Sequence, residues 1–136
     1  MEITRSGRDS QRGPSEWFTG DVWLDQIATA ASPSRMTAAS VHFSPGARTA
    51  WHRHPFGQVI HVIEGAGLAQ REGGPVEALR PGDTVRFEPD ELHWHGAAPN
   101  GFMTHLAMQE VDDDGTAAYW GDPVADEDYL AEPAGR

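Results

Sequence analysis

The sequence predicts an all-β domain of antiparallel strands that close into a sandwich or barrel. Short runs of strand-forming residues recur along the chain, and turn-forming residues such as Ser44-Pro45-Gly46 and Gly73-Gly74-Pro75 separate them. The runs lie too close together for the helical crossovers that parallel strands require. Side chains in the run 102–110 also alternate between two faces, as in a strand that is covered on both sides.

The strands follow in chain order from these patterns. They are predicted at 21–27, 36–44, 48–53, 58–64, 66–72, 76–80, 83–88, 92–97 and 102–110. In the last of them, one face carries Met103, His105, Ala107 and Gln109, and the other carries Phe102, Thr104, Leu106 and Met108. One face is therefore expected to line a cavity, and the other to pack against a second sheet or a second subunit.

Two flanking segments differ from this strand-rich region of 17–110. Residues 1–16 are polar and are predicted to form a flexible arm or an edge extension. Residues 111–136 are acidic, and we interpret their carboxylates as a solvated tail that aids solubility. Within this tail, Asp122 is expected to cap a short helix that has Pro123 at its first position and continues through residues 126–129.

Composition and charge exclude several classes of function. A chain of 136 residues fits one domain with one core, and no apolar run is long enough to cross a bilayer. The formal net charge of −11 argues against nucleic acid or an anionic membrane as a partner. The first residues contain no signal-peptide pattern, so a cytoplasmic location is expected. There is no cysteine, so any bound metal must be held by imidazole, carboxylate or amide groups.

Four residues form a candidate metal site, namely His52, His54, Gln58 and His93. His52 and His54 point to one face of a strand, and Gln58 can join them from four residues further on. Three imidazoles suit Mn²⁺, Fe²⁺, Co²⁺, Ni²⁺ or Zn²⁺. The neutral amide leaves the cation its full charge, which favours Lewis-acid chemistry. A lone buried histidine is more often a hydrogen-bonded core residue, and for His52 and His54 alone that alternative stays open.

The sequence around these residues resembles the two motifs of the cupin superfamily. The first block is Gly46-x5-His52-x-His54-x3-Gln58-x6-Gly65, and the second is Gly82-x6-Pro89-x3-His93. Gln58 stands where cupins usually have glutamate. In the second block the proline spacing is longer by one residue, and Asp90 replaces the usual glycine. The resemblance implies a single-domain jelly-roll β-barrel that binds a divalent metal.

A narrower resemblance points to the small bacterial cupin hydroxynitrile lyases. It is carried by Ala47-Arg48-Thr49-Ala50-Trp51-His52, Gln70-Arg71-Glu72-Gly73-Gly74, His93-Trp94-His95-Gly96-Ala97-Ala98 and Met103-Thr104-His105-Leu106-Ala107. It implies cleavage or formation of cyanohydrins, with Mn²⁺ as the metal. It also implies that Ala39, Val41 and Thr49 line the substrate pocket, although ordinary strand core is an equal alternative for these three residues.

The catalytic candidates lie on the predicted inner faces of the last two strands. His105 is the candidate general base, because a neutral imidazole near a metal can take a hydroxyl proton near neutral pH. Gln109 and His95 are candidates to assist it. A structural hydrogen bond across the barrel is the alternative role for His105, and orientation of a metal ligand is the alternative for His95.

Other functions remain compatible with these residues. A metal-dependent oxygenase, another small-molecule cupin enzyme and a non-catalytic small-molecule binder would carry similar motifs. Lyase activity could also exist in the test tube without being the cellular role. In each case the expected partner is a small molecule, and a homodimer or higher homo-oligomer is expected to form through a sheet face.

Overall fold

The structure, a computed structural model, describes residues 1–135, and within them it is built almost entirely from short strands. The strands are β1 (Gln11–Arg12), β2 (Phe18–Thr19), β3 (Val22–Ala28), β4 (Met36–Phe43), β5 (Arg48–Thr49), β6 (His52–Arg53), β7 (Gln58–Gly65), β8 (Gly67–Arg71), β9 (Glu77–Leu79), β10 (Thr84–Phe87), β11 (His93–Ala97), β12 (Met103–Glu110) and β13 (Tyr119–Trp120). One helix, α1 (Asp126–Tyr129), follows them.

The strands form two sheets. The first sheet has the order β1-β3-β4-β12-β7-β10. The second has the order β13-β6-β11-β5-β2, with β8 beside β11 and β9 beside β8. The pairings between these strands are antiparallel, so the predicted antiparallel barrel or sandwich is confirmed.

The main hydrophobic core lies between the two sheets. Phe43, Ile60 and Met103 from the first sheet are fully buried there and pack with Ala69 and Ala97 from the second. Since successive side chains of a strand point to opposite faces, the inward set of β12 is Met103, His105, Ala107 and Gln109, as the sequence predicts. The same strand therefore supplies both core packing and polar groups for an internal site.

One glycine fixes how closely two strands approach. A Cβ at Gly96 would lie 2.5 Å from the Ala47 carbonyl oxygen and 2.6 Å from the Arg48 Cα atom. Gly96 pairs with Arg48 where β11 meets β5, so only a residue without a side chain allows this approach.

The flanking segments differ in part from the prediction. The N-terminal arm forms an edge extension, since β1 pairs with β3. The predicted strand 48–53 is divided into β5 and β6, because the Trp51 amide donates to the Asp122 carbonyl oxygen between them. The prediction that Asp122 caps the helix is wrong, because α1 begins after Ala125 and no side chain caps it.

The C-terminal tail is also less solvated than predicted. Its Asp113, Asp126 and Glu132 side chains are exposed, as expected for carboxylates. Val124 and Tyr129, however, are buried in a second apolar cluster with Leu68, Val76 and Trp94. In the described part of the chain, no helix is long and apolar enough to cross a membrane.

Candidate metal centre and active site

The fold brings the four predicted metal ligands to one place between the sheets. β6 and β11 pair so that His52 lies opposite His93. His54 follows β6 by one residue, and Gln58 is the first residue of β7. All four side chains are buried, which is unusual for such polar groups unless they have partners.

Backbone carbonyl groups orient the three histidines of the predicted ligand set. The Nδ1 atom of each ring lies within hydrogen-bond distance of a carbonyl oxygen: His52 to Ala50 at 2.9 Å, His54 to Ala117 at 2.8 Å, and His93 to Glu91 at 2.7 Å. A carbonyl oxygen only accepts, so Nδ1 must carry the proton in each ring. The Nε2 atom of each ring is then left with a free lone pair, which is the form that binds a metal.

Two of these Nε2 lone pairs lack a donor. His54 Nε2 is buried and has no hydrogen-bond partner among residues 1–135. His93 Nε2 lies 3.2 Å from Gln58 Oε1, although neither atom then has a proton to donate. Buried lone pairs that face one another are costly unless a cation lies among them. The donor set of His52, His54, Gln58 and His93 therefore fits a divalent metal.

His95 is also close to the proposed ligands. Donor nitrogens of His52, His93 and His95 lie within 4.8 Å of one another. The nitrogens of His95, unlike His54 Nε2, both have partners: Nδ1 lies 3.0 Å from His105 Nε2, and Nε2 lies 3.2 Å from Gln58 Oε1. This difference in partners favours His54 as the third imidazole ligand and gives His95 a hydrogen-bonding role.

A chain of hydrogen bonds links the predicted catalytic residues. From His95 it passes to Gln58, whose Nε2 donates to Gln109 Oε1 at 3.0 Å. Gln109 Nε2 in turn donates to Thr37 Oγ1 at 2.8 Å. His105, His95 and Gln109 are therefore connected through one proposed ligand, Gln58.

The protons of the two inner histidines follow from the same contacts. His105 Nδ1 is buried and has no partner among the described residues. A buried N–H without an acceptor is costly, which favours the proton on His105 Nε2, from which it is donated to His95 Nδ1. His95 then donates from Nε2 to Gln58 Oε1. His105 Nδ1 is left as the free acceptor of the pair.

Burial keeps all five imidazoles neutral. It lowers the pKa of His93 to about 3 and that of His105 to about 4. Burial also lowers the pKa of His52, His54 and His95 below the ordinary value, and the neighbouring imidazoles lower those of His52 and His95 further. Neutral rings are what both metal binding and proton acceptance require.

A cavity of about 350 Å³ opens onto this site. Its walls include the three predicted pocket residues Ala39, Val41 and Thr49, and also His105 and Gln109. The two small side chains on β4 leave space beside the imidazoles. This volume matches pockets that hold small organic ligands.

Sequence reasoning missed the aromatic wall of the cavity. Trp17, Phe18 and Trp120 line it, and they come from segments on either side of the predicted barrel strands. Pairs of aromatic residues within otherwise polar flanks, such as Trp17-Phe18 and Tyr119-Trp120, were the available signal. Nothing in the local pattern indicates that the two flanks meet.

The remaining histidines, His42 and His61, face away from the cavity. His42 lies between Asp25 and Thr104 on the outer face of the first sheet, with ring nitrogens 2.8 Å and 3.1 Å from their side-chain oxygens. His61 contacts Thr84 Oγ1 at 2.7 Å on the same face. Neither residue contributes to the internal site.

Known proteins share this fold. A family model described as a cupin domain matches residues 39–106, which is half of the chain and contains the four proposed ligands. The chain belongs to the cupin family. A curated relative from Granulicella tundricola, named (R)-mandelonitrile lyase, is 55% identical over 130 residues, covering 95% of this chain and 98% of the relative.

Solved structures agree with the assignment. A cupin-like protein of Thermotoga maritima superposes with a TM-score of 0.86 and 34% identity, covering 98% of this chain and 100% of that protein. A polyketide cyclase from Streptomyces resistomycificus superposes with a TM-score of 0.65 over 94% of this chain and 90% of the cyclase. Its 19% identity shows the shared fold alone.

Proposed function

We propose that this cupin is a metal-dependent hydroxynitrile lyase, which cleaves a cyanohydrin into an aldehyde and cyanide or joins the two in reverse. One observation carries the proposal. The relative named (R)-mandelonitrile lyase is 55% identical over 95% of this chain and 98% of its own length. The internal cavity of about 350 Å³, with neutral imidazoles on one side and aromatic rings on another, suits a small aromatic cyanohydrin.

The proposed cation is held by His52, His54, Gln58 and His93. Three neutral imidazoles and one neutral amide accept Mn²⁺, and also Fe²⁺, Co²⁺, Ni²⁺ or Zn²⁺. We propose Mn²⁺, because the likeness to hydroxynitrile lyases favours it. Other divalent ions bind such ligands more tightly, so the supply of Mn²⁺ in the cell would decide which ion fills the site. When bound, such a cation supplies Lewis acidity that lowers the pKa of a nearby hydroxyl group.

The chain's own residues handle the proton. His105 lines the cavity, and its Nδ1 atom is a buried acceptor without a partner among residues 1–135. We propose that it takes the hydroxyl proton as the carbon–carbon bond breaks, so that the hydroxyl carbon becomes a carbonyl and the electron pair leaves with cyanide. The same proton then passes to cyanide. His95 fixes the His105 ring, and Gln109 fixes the Gln58 amide through its hydrogen bond.

The enzyme reconstituted with Mn²⁺ is expected to release benzaldehyde from mandelonitrile faster than the apo protein does. The measurement is absorbance of the aldehyde at slightly acidic pH, with the spontaneous rate subtracted. Apo protein reloaded with Mg²⁺, which strongly prefers oxygen ligands, is the control. Release at the spontaneous rate by protein that demonstrably holds Mn²⁺ would contradict the lyase proposal.

We also propose that the protein forms a homodimer or a higher homo-oligomer through the outer face of the first sheet. That face carries Trp23 and Ile63, which are 41% and 42% exposed, and the half-buried Leu106 and Met108. His42 and Ser40 of β4 lie between Trp23 and Leu106. Large apolar side chains exposed on a sheet face are typical of subunit interfaces.

Light scattering after size exclusion is expected to give at least twice the monomer mass. Trp23→Glu should shift the protein towards monomer, because it places a charge on the proposed interface. Leu130→Glu, which changes another exposed apolar residue near the C-terminus, should not. A wild-type monomer at every concentration would show that the oligomer proposal is wrong.

A further inference from the structure

The C-terminal strap, which we define as residues 112–130, contacts the metal centre directly. The carboxylates of the strap suggest a solvated tail, yet its strand β13 lies at the edge of the second sheet beside β6. It contacts two of the three proposed histidine ligands, through its backbone and through one aromatic ring. Three independent contacts support a role for it.

The first contact is strand pairing. β13 pairs with β6 so that Trp120 lies opposite His52 and Tyr119 lies opposite Arg53. The other neighbour of β6 is β11, which carries His93. β6 is only two residues long. The strap thus forms one of the two flanks that fix the backbone of a ligand-bearing strand.

The second contact fixes a tautomer. The Ala117 carbonyl oxygen lies 2.8 Å from His54 Nδ1. The corresponding acceptors of His52 and His93 are the carbonyl groups of Ala50 and Glu91, each two residues before its own histidine. His54 instead depends on an acceptor 63 residues away in sequence. The contact with the strap therefore leaves the His54 Nε2 lone pair free, in the form that would bind a cation.

The third contact is aromatic. The Trp120 ring stacks on the His52 ring, with centroids 4.5 Å apart and planes at 25°. The Trp17 ring stacks on the Trp120 ring, with centroids 5.0 Å apart and planes nearly parallel at 7°. Stacking of this kind restricts rotation of the His52 ring and excludes water from one side of it.

The far end of the strap is fastened to the barrel. The Tyr129 hydroxyl donates to the Ala97 carbonyl oxygen at 2.6 Å. Arg48, almost fully buried, donates to the Val124 carbonyl oxygen at 2.8 Å, and its guanidinium group lies 4.3 Å from the centre of the Tyr129 ring. These anchors lie outside the proposed ligand set, so they hold the strap without touching the cation site.

We propose that the strap is a positioning element of the metal centre: Ala117 sets the tautomer of His54, and Trp120 holds the ring of His52. The inference rests on the proposed metal site and deepens it. Partners that orient metal ligands typically contribute about 10- to 100-fold to metal affinity. Loss of the strap contacts should therefore weaken metal retention before it unfolds the barrel.

The test compares Trp120→Ala and Trp120→Phe with the wild type. Free Mn²⁺ is quantified by its electron paramagnetic resonance signal during titration of each apo protein. Trp120→Ala is expected to raise the Kd for Mn²⁺ by about 10- to 100-fold. Trp120→Phe, which keeps a ring on His52, should restore most of the affinity. Phe102→Ala removes another aromatic ring, one that is 50% exposed and does not line the cavity, and should leave the Kd unchanged.

A second readout separates positioning from general loss of structure. Nitrogen-15 spectra of the apo proteins report the tautomer of His54, which should be pure Nδ1–H in the wild type and mixed in Trp120→Ala. Tyr129→Phe removes only the hydroxyl anchor and is expected to raise the Kd in the same direction by a smaller factor. It provides the test if Trp120→Ala does not fold.

The outcomes distinguish this inference from the metal site on which it rests. If the wild type itself retains no Mn²⁺, the proposed metal centre is wrong and the inference falls with it. If the wild type retains Mn²⁺ and folded Trp120→Ala and Tyr129→Phe retain it equally well, the metal centre stands and the positioning role is overturned. A lower melting temperature with unchanged Kd and tautomer would also overturn it.

Discussion

His52→Ala is expected to abolish both Mn²⁺ retention and cyanohydrin turnover. His52 provides a buried Nε2 lone pair, and its Nδ1 proton is fixed by the Ala50 carbonyl group 2.9 Å away. Removal leaves two imidazoles and an amide, one imidazole fewer than the three that hold the metal in a three-histidine catalytic site. Metal content after desalting and aldehyde release from mandelonitrile measure the two effects together, and turnover should fall to the spontaneous rate.

His61→Ala is the matched control for this substitution. It removes an imidazole from the outer face of the first sheet, where His61 contacts Thr84 rather than the cavity. It should retain both metal and rate. Turnover by His52→Ala that persists in metal-free protein would show that the proposed metal site is not needed for the reaction.

His105→Ala is expected to retain Mn²⁺ and to lose rate by about 10²- to 10⁴-fold, the usual contribution of a general base. His105 contacts His95 at 3.0 Å, and His95 in turn contacts the proposed ligand Gln58. Its loss should therefore change proton transfer more than metal binding. The measurements are kcat for mandelonitrile and bound Mn²⁺ per chain, with the circular dichroism spectrum confirming the fold.

Two further variants sharpen the result. His105→Gln preserves much of the side-chain volume and a donor towards His95, and it should still lose most of the rate because it supplies no base. His42→Ala removes the histidine that lies on the outer face of β4 and should keep the rate. Full activity in His105→Gln would remove His105 from the role of base.

The strands and their faces could be predicted because both depend on local pattern. Alternation in 102–110 placed His105 and Gln109 on the inner face, and the spacing of His52 and His54 indicated a shared site with Gln58. The motif spacing likewise predicted that His93 joins them, and in the structure it lies opposite His52. Residues close in sequence carry this information, since a strand has a fixed period of two.

The tautomers and the aromatic wall could not be predicted in the same way. The proton of His54 depends on the carbonyl group of Ala117, and the His52 ring depends on Trp120. Ala117 and Trp120 both belong to the acidic segment 111–136, whose charge led us to interpret it as a solvated tail. Carboxylates indicate where side chains meet water, but they do not show where the backbone between them pairs.

The sequence by itself determined that the chain forms an antiparallel cupin barrel, which four residues are proposed to hold a metal, and which strand carries His105. Only the tertiary structure decided that residues 112–130 close against β6, and that His95 lies between His105 and Gln58. The physical reason is range. The strand period and the turn residues act over a few positions in the sequence. The pairing of β13 with β6 and the stacking of Trp120 on His52 join segments that are far apart in sequence. These segments come into contact only when the barrel has formed.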